Sequence, residues 1–419
     1  MNRETLDREL EGMIGNVGDK VPGLGVIIYA GGEEVYSKFV GRRRINPDKP
    51  ITRRTRFRAA SVSKMFTAFG IMKLVEFGKI NLEDDAGKYL GFELRNSKCR
   101  RKKITVRSLA NHTSTLRDGK IYSIPPDLSV EEFFKPSGKF WEDGAHFASS
   151  EGFCYSNLNY GLLGTIIETV TDTRFDIWQR ENILKQLEIK AEYLPGNFAP
   201  EEFEQLGAIY RKKNSQGVWN EFGEWFSQID DYDFQPAENS VSLQNPYDEK
   251  FNRTYDLSGY RIGTNATIFS PQGGLRISFE ELAHSLEMLM NGGTFRGQKI
   301  LSRESVAEMM KFNLKGGEDC GVPSSYGLGI YFVDGEGKYR FGKDCAINFI
   351  GHAGAAFGLL SGVFFIPSTK SGFVYMLNGE ALEEEIDLRS HGKFSNNYIW
   401  EEKILDAICK FFVTFAYSH

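Results

Sequence analysis

The stretch Ala59-Ala60-Ser61-Val62-Ser63-Lys64, followed by MFTAFGIMKLVEF at residues 65–77, places a serine and a lysine at the head of an apolar run. The run is apolar on nearly every side, which is typical of a buried helix rather than an amphipathic one. Residues i and i+3 share a helix face, so we expect Lys64 to reach the hydroxyl of Ser61. Burying a lysine costs free energy, so its presence here indicates a function, and the neighbouring Ser61 hydroxyl provides one.

This pair has the chemistry of an activated nucleophile. A serine hydroxyl is a poor nucleophile at neutral pH and needs a base to take its proton. Burial lowers the pKa of a lysine because loss of water disfavours the charged form, so Lys64 could serve as that base. The helix N-terminus adds free N–H groups that favour a developing oxyanion. Taken alone, the S-x-x-K pattern is short enough to occur by chance.

Length, charge and cysteine content narrow the class of protein. The chain has 419 residues, enough for two lobes, and its net charge of −5 argues against a nucleic-acid surface. We interpret two basic clusters, Arg42–Arg44 and Lys98 with Arg100–Lys103, as solvated loops. Five widely spaced cysteines fit neither a disulfide framework nor a zinc site, and the six histidines lack metal-ligand spacing. We therefore expect no metal and no cofactor.

Neither a membrane span nor a secretion signal is predicted. The longest strongly apolar stretch, around Phe357–Ile366, is too short to cross a bilayer. The N-terminus, MNRETLDRELEGMIG, is charged and helical in pattern, unlike a signal peptide. We expect a cytoplasmic protein, or a secreted one if a signal peptide is missing from this sequence.

Predicted elements run in the order strands, helices, strands. Gly31-Gly32 between two strand-like runs indicates a hairpin. The predicted strands are Gly25–Tyr29, Glu34–Val40, Gly329–Val333, Ile347–Gly351, Leu360–Ile366 and Gly372–Leu377. Besides the run after Ser61, the predicted helices are Leu6–Ile14, Asn157–Thr171, Phe279–Asn291, Arg303–Phe312 and Tyr398–Phe415.

This order predicts an α+β fold, in which an antiparallel sheet built from both chain ends is flanked by helices and carries an inserted, mainly helical lobe. We assign residues 1–80 and 268–419 to the sheet lobe and residues 81–267 to the helical lobe. The polar, irregular stretch at about 196–267 is interpreted as a surface insertion. The active site is expected between the lobes.

Two further motifs follow in chain order. Tyr155-Ser156-Asn157 precedes a predicted helix, and Gly351-His352-Ala353-Gly354 ends one strand-like run and precedes another. With Ser61-x-x-Lys64, this order resembles the penicillin-binding-protein and class C β-lactamase family of serine hydrolases, and implies a β-lactamase/transpeptidase-like fold. Supporting resemblances are Asn111-His112-Thr113-Ser114, SPQGGL at 270–275, Asn291-Gly292-Gly293 and Tyr326-Gly327-Leu328-Gly329. The likeness covers nearly the whole chain and is weakest at about 196–267.

The resemblance implies catalytic roles for three side chains. Ser61 resembles the nucleophile that forms an acyl-enzyme, and Lys64 resembles the lysine that activates it. Tyr155 resembles the group that protonates the leaving group and activates water, either as a phenolate or through a proton shuttle with Lys64. The phenolate requires nearby positive charge to lower the tyrosine pKa from about 10. The plain alternative for Tyr155 is an aromatic anchor at a helix start.

The resemblance also implies substrate-binding groups. Asn157 should hydrogen-bond Lys64 or the substrate amide, although a helix N-cap is the plain alternative. On the facing strand, His352, Gly354 and Ala355 would meet the substrate. The N–H groups of Ser61 and Ala355 would form the oxyanion hole.

The third motif departs from the family's common form. Most β-lactamases and carboxypeptidases of the family carry Lys-Thr-Gly or Lys-Ser-Gly there, and use the lysine and hydroxyl to hold a substrate carboxylate. His352 is only partly charged near pH 7 and Ala353 has no hydroxyl, so we expect weaker binding of a substrate carboxylate. The alternative for His352 is a core histidine satisfied by backbone groups. Histidine at this place resembles the esterase and D-amino-acid amidase or peptidase members.

Two smaller departures matter. Lys370-Ser371-Gly372 matches the Lys-Ser-Gly form literally, but it follows the turn-like Pro367-Ser368-Thr369 and is interpreted as a surface turn. Thr115 stands where relatives usually have glycine after His-Thr-Ser, which leaves the local turn open.

The sequence therefore favours a serine hydrolase acting on a small-molecule or peptide substrate. The options, in order, are an ester or amide hydrolase, a D-aminopeptidase or carboxypeptidase, and a β-lactamase. The alternative is a non-catalytic relative that binds peptide or cell-wall fragments as a sensor. An α/β-hydrolase is disfavoured because no G-x-S-x-G elbow occurs. No oligomeric state is predicted.

Overall fold

A computed structural model gives the fold. It describes residues 1–18, 20–96, 101–119, 121–135, 152–213, 220, 222–243, 253–312, 322–380 and 391–416.

A seven-stranded antiparallel sheet joins the two ends of the chain. Its strands, in spatial order, are β12 (Tyr331–Val333), β13 (Phe349–Ala356), β14 (Leu359–Ile366), β15 (Ser371–Leu377), β1 (Gly23–Ala30), β2 (Glu33–Arg44) and β3 (Lys49–Pro50). The N-terminal hairpin enters the sheet through β1, where Leu24 pairs with Leu377. This arrangement confirms the antiparallel sheet predicted from both chain ends.

Side chains of the sheet alternate between two apolar clusters, one on each face. On β1, Ile27 and Tyr29 belong to one cluster, whereas Val26 and Ile28 belong to the other. Three helices contribute to these clusters: α9 (Phe279–Met290) to the first, and α1 (Arg3–Glu11) with α11 (Ile399–Ala416) to the second. Helices therefore flank both faces of the sheet, as predicted.

The helix that follows the nucleophile motif is buried on every side. A short 3-10 turn, Ala60–Val62, leads directly into α2 (Ser63–Glu76), and every residue of α2 as far as Leu74 is buried. The other α-helices of the described residues are α3 (Ala86–Leu90), α4 (Val106–Ala110), α5 (Val130–Phe134), α6 (Asn157–Thr171), α7 (Phe175–Gln179), α8 (Pro200–Phe203) and α10 (Arg303–Met309). The apolar pattern after Ser61 thus predicted the burial of α2 correctly.

The stretch interpreted as an irregular insertion contains strands. They are β5 (Ile209–Lys213), β6 (Glu224–Ile229), β7 (Ser240–Leu243) and β8 (Arg253–Asp256). Strand β5 pairs in parallel with β16 (Gly379–Glu380), which follows β15 directly in the chain. The remaining short strands are β4 (Arg56–Arg58), β9 (Arg276–Ser278), β10 (Thr294–Phe295) and β11 (Gln298–Lys299). The lobe boundaries near residues 80 and 267 stay a prediction.

Two local expectations were wrong. Residues 351–354 lie inside β13 rather than at the end of a strand. Arg42–Arg44 are part of β2, and the buried side chain of Arg43 donates to the carbonyl groups of Pro50 and Glu204. This cluster is therefore partly structural. The second basic cluster falls partly outside the described residues.

Candidate active site

Ser61 lies in the 3-10 turn between β4 and α2, pressed against β13. A Cβ atom on Gly354 would lie only 2.9 Å from Ser61 N and 2.6 Å from Ala59 O. Glycine is thus what lets β13 run beside the serine. The buried hydroxyl of Ser361 on β14 donates to Ala59 O at 2.8 Å, which ties the same turn to the sheet.

The amine of Lys64 contacts three oxygen atoms. Its Nζ lies 2.9 Å from Ser61 Oγ, 2.7 Å from Asn157 Oδ1 and 3.1 Å from Gln272 O. The side chain is fully buried and has no ion-pair partner within 4 Å among the described residues. The predicted contacts of Lys64 with Ser61 and with Asn157 are therefore both present.

The surroundings of Lys64 favour its neutral form. Burial lowers the pKa of Lys64 to about 7, while the nearby carboxylate of Asp118 acts in the opposite direction. Two of its partners, an amide oxygen and a peptide oxygen, can only accept hydrogen bonds. A neutral amine satisfies both with its two hydrogens and keeps its lone pair for the Ser61 hydroxyl. The geometry suits a base that takes the serine proton.

Tyr155 is half-buried beside this pair. The centre of its ring lies 4.7 Å from Lys64 Nζ. Burial raises the pKa of Tyr155 well above its usual value, and a hydrogen bond with Ser61 only partly opposes this. The tyrosine therefore rests as a protonated hydroxyl, and the phenolate alternative is disfavoured in this state.

Asn157 begins α6 rather than capping it, so the N-cap alternative is wrong. Ser156 occupies the cap position but makes no capping hydrogen bond with its side chain. Asp118, a loop residue, instead accepts from the N–H groups of Asn157 and Leu158, both at 2.9 Å. Asp118 was missed in the sequence because it follows no motif spacing and meets Asn157 only in the folded chain.

His112, in the Asn111–Ser114 motif, contacts the segment that carries Tyr155. The buried ring of His112 accepts from Ser156 N at 3.1 Å, and its carbonyl oxygen accepts from Cys154 N at 2.9 Å. The ring also lies 4.4 Å from the ring of Tyr155, centre to centre. Thr115, where relatives usually have glycine, adopts a left-handed φ of +69°. The turn is thus the one that glycine favours, although a threonine occupies it.

His352 is fully buried and lies against Tyr326. Its Nε2 lies 2.6 Å from the hydroxyl of Tyr326. Burial, and then the charge of Lys64, lower the pKa of His352 to about 3. The expectation of partial charge near pH 7 was therefore wrong. The alternative of a core histidine satisfied by backbone groups describes the side chain better: Nδ1 contacts the backbone oxygen of Ala353, and Nε2 has a tyrosine as its partner.

Ala355 lies on the open edge of β13. Strand β12 pairs only with residues 349–351, and beyond it the N–H of Ala353 donates to the hydroxyl of Tyr331 at 2.9 Å. Hydrogen-bonding direction alternates along a strand, so Ala355 N–H points the same way as Ala353 N–H, away from β14. This direction fits the predicted partnership of Ala355 with Ser61 in an oxyanion hole.

The rival motif at residues 370–372 lies apart from these groups. Lys370 is exposed in the turn between β14 and β15, and its Nζ donates to Asn291 Oδ1 at 3.1 Å. Gln272, whose peptide oxygen binds Lys64, belongs to the SPQGGL landmark, but its role as an acceptor was not foreseen.

The described part of the chain contains no group of His, Cys, Asp and Glu side chains placed to hold a metal ion. Within those same residues, every helix is too short or too polar to cross a bilayer.

A serine, a lysine and a tyrosine around one turn, backed by an antiparallel sheet, define a class of active-site-serine proteins. The chain belongs to the Beta-lactamase family, whose profile matches residues 10–393. Over 178 residues it is 28% identical to Protein flp of Staphylococcus aureus (strain MW2). The aligned region covers 41% of this chain and 34% of that protein. The chain is 30% identical over 171 residues to penicillin-binding protein 4* of Bacillus subtilis (strain 168), covering 38% and 36%. The matches span about a third of the length of these relatives.

Two solved structures share the fold. The octameric penicillin-binding protein homologue from Pyrococcus abyssi aligns over 91% of this chain and 74% of its own, with a TM-score of 0.61 and 22% identity. A D-stereospecific amidohydrolase from Streptomyces sp. aligns over 91% and 95%, with a TM-score of 0.58 and 20% identity. These alignments confirm the predicted β-lactamase/transpeptidase-like fold.

Proposed function

We propose that this chain is a serine hydrolase that forms an acyl-enzyme on Ser61 and cleaves an ester or an amide. The observation that supports this most directly is the contact of Lys64 Nζ with Ser61 Oγ at 2.9 Å, made by a buried lysine whose pKa is lowered to about 7. A neutral amine so placed is a general base within reach of its proton.

Acylation would begin when Ser61 Oγ attacks the substrate carbonyl carbon and its proton passes to Lys64 Nζ. The N–H groups of Ser61 and Ala355 would bind the oxygen of the tetrahedral intermediate. Tyr155 would donate its proton to the leaving oxygen or nitrogen, and Lys64 would return a proton to the phenolate. Because the pKa of Tyr155 is raised, the hydroxyl rests protonated and has a proton to give in this shuttle.

Deacylation would use the same groups. After the leaving group departs, Lys64 is neutral again and can take the proton of a water molecule that attacks the acyl carbonyl. Ser61 Oγ then leaves with a proton, which restores the starting state. Both half-reactions balance without a metal ion or a redox partner.

The substrate class follows from His352 and Ala353. The common family motif offers a lysine and a hydroxyl to a substrate carboxylate, whereas here the histidine is buried and neutral and the alanine is apolar. Simple esters and amides, including those of D-amino acids, therefore fit better than substrates that need a carboxylate anchored there. β-Lactams come last in this order.

Turnover of a nitrophenyl ester, a D-amino-acid amide and a chromogenic cephalosporin, measured side by side, tests the proposal. We expect the ester or the amide to be fastest, and Ser61→Ala and Lys64→Met to lose activity by a factor on the order of 10³ or more. Lys73→Met is the matched control, because Lys73 is another buried lysine of α2 whose Nζ bonds Ile300 O instead. Full turnover by Ser61→Ala would contradict the proposal, and fast cephalosporin turnover would reverse the substrate order.

A further inference from the structure

The carboxylate of Asp118 is surrounded by hydrogen-bond donors. Its Oδ1 accepts from Ser156 Oγ and Leu158 N, both at 2.9 Å. Its Oδ2 accepts from Asn157 N at 2.9 Å and from Asn157 Nδ2 at 2.8 Å. Two carboxylate oxygens offer about four acceptor positions, so these four donors use its full capacity.

This arrangement decides which way the Asn157 amide points. An asparagine amide has an accepting end and a donating end of nearly the same shape. A carboxylate can only accept, so the Nδ2 end must face Asp118. The Oδ1 end is then left for Lys64, whose Nζ lies 2.7 Å away.

The opposite orientation of the Asn157 amide would prevent Lys64 from acting as a base. An Asn157 NH₂ group turned toward Lys64 would donate to the lone pair of the neutral amine. That lone pair is the one that Ser61 needs for its proton. We propose that Asp118 is a positioning residue, which holds the Asn157 amide so that Lys64 stays available to Ser61. This inference rests on the proposed function.

The charge of Asp118 has a second effect on the same amine. The carboxylate favours the protonated lysine and partly offsets burial. The other groups packed around Lys64 are the rings of Tyr155 and Tyr160, centred 4.7 and 5.7 Å from Nζ, and the buried His112 and His352. Burial and the lysine lower the pKa of both histidines, so both are neutral near pH 7. Among the residues that the structure describes, Asp118 is thus the charged group that acts on Lys64.

The test is the rate at which a fluorophosphonate probe labels Ser61 between pH 5 and pH 9. Asp118→Asn keeps the size of the side chain but replaces one acceptor oxygen with a donor. We expect its maximal labelling rate to fall by about tenfold or more, because the turned amide occupies the lone pair of Lys64. The acid-side midpoint of the curve of labelling rate against pH should move down by roughly half a pH unit or more, because a charge that favoured the protonated lysine is gone.

Asp85→Asn is the matched control. Asp85 is also a helix-capping carboxylate, accepting from Gly87 N at the start of α3. If Asp118 served only to cap α6, both variants would lose thermal stability and both would keep the wild-type midpoint. A wild-type rate and midpoint in Asp118→Asn would overturn the inference.

Titration of Lys64 by NMR, in protein labelled with ¹³C at the lysine ε-carbons, needs no reactive serine. The signal that titrates near pH 7 is assigned by its loss in Lys64→Met. Absence of labelling at Ser61 in the wild type would contradict the proposed function, whereas the NMR titration would still decide the role of Asp118. A lower lysine pKa in Asp118→Asn supports an action of Asp118 on Lys64, because a turned Asn157 amide and a lost charge both lower it, whereas an unchanged lysine pKa overturns the inference.

Discussion

Lys64 occupies a position where an ordinary lysine would destabilise the fold. Removing an ammonium group from water costs free energy, and the group responds by giving up its proton. The three oxygen atoms in contact with Nζ provide enough hydrogen bonds for a neutral amine, but none of them carries a negative charge. The residue proposed as the base is therefore one that the folded chain tolerates mainly in its neutral form.

This predicts a specific dependence of stability on pH. The pKa of Lys64 is lowered from 10.5 to about 7, so between these values the unfolded chain binds a proton that the folded chain does not. Stability from this residue should rise by about 1.4 kcal/mol per pH unit in that window. Lys64→Met lacks this contribution. Urea denaturation at pH 7.5, 8.5 and 9.5 should show the wild type gaining stability on the variant, and parallel pH dependences would contradict the lowered pKa.

Substitutions of His352 and Lys370 distinguish the two candidate positions of the third motif. His352→Ala removes a buried ring and leaves the Tyr326 hydroxyl without the partner that lies 2.6 Å away. We expect kcat/KM on a nitrophenyl ester to fall by about tenfold or more, since a buried hydroxyl that loses a hydrogen-bond partner is costly and the neighbouring tyrosines shift. Lys370→Ala, in an exposed turn, should leave it unchanged. Loss of activity in Lys370→Ala with retention in His352→Ala would move the motif to residues 370–372.

Among the elements, the contact between β13 and the Ala60–Val62 turn positions Ser61, the proposed nucleophile. Gly354 makes this contact possible, because a side chain there would meet Ala59 O and Ser61 N. Ala355, whose N–H is the proposed second oxyanion donor, follows one residue further along the strand. Small displacements of β13 should therefore act on catalysis before they act on folding.

Gly354→Ala tests that expectation. The added methyl group has to push β13 away from Ser61, which should lower kcat by about 10²-fold, as loss of an oxyanion donor does, with a smaller change in KM. The stability cost should be about 1–3 kcal/mol. Gly259→Ala is the control, because a Cβ atom there meets nothing within 4 Å. Steady-state kinetics and thermal melts of both variants measure the effect, and a fully active Gly354→Ala would contradict the close approach.

Elements with strong local patterns were predictable from the sequence. The Gly31-Gly32 turn marked the β1–β2 hairpin, where both glycines have positive φ, and the all-apolar run marked the buried α2. The strands β5–β8 were not predictable. They are short and polar, and β5 owes its place to a parallel partner at Gly379–Glu380, far away in sequence. The motifs proposed as catalytic have fixed spacings, whereas Asp118 meets Asn157 only in the folded chain.

At the scale of the whole molecule, both chain ends belong to one structural unit. Strand β1 pairs with β15 in the sheet that carries β13, and α11 packs against α1. The apolar cluster shared by these helices includes Trp400, which is 1% exposed. Integrity of the active site should therefore depend on contacts far from Ser61 in sequence.

Trp400→Ala should lower stability by about 3–5 kcal/mol, the usual cost of removing a large buried side chain. Because β13 belongs to the same sheet, ester hydrolysis and far-ultraviolet circular dichroism should be lost in one transition on heating. Trp225→Ala is the matched control, since that indole is only half-buried on β6. A variant that loses activity well before its secondary structure, or that melts like the wild type, would contradict this coupling.

The mass of the protein during turnover shows whether Ser61 carries an acyl group. The reaction with a nitrophenyl ester is quenched in acid within the first turnovers, and the intact protein and its peptides are weighed. The proposed mechanism predicts one acyl group per chain, carried by the peptide that contains Ser61 and absent from Ser61→Ala. Rapid ester turnover with no acyl group on Ser61, or an equal acyl load in Ser61→Ala, would contradict it.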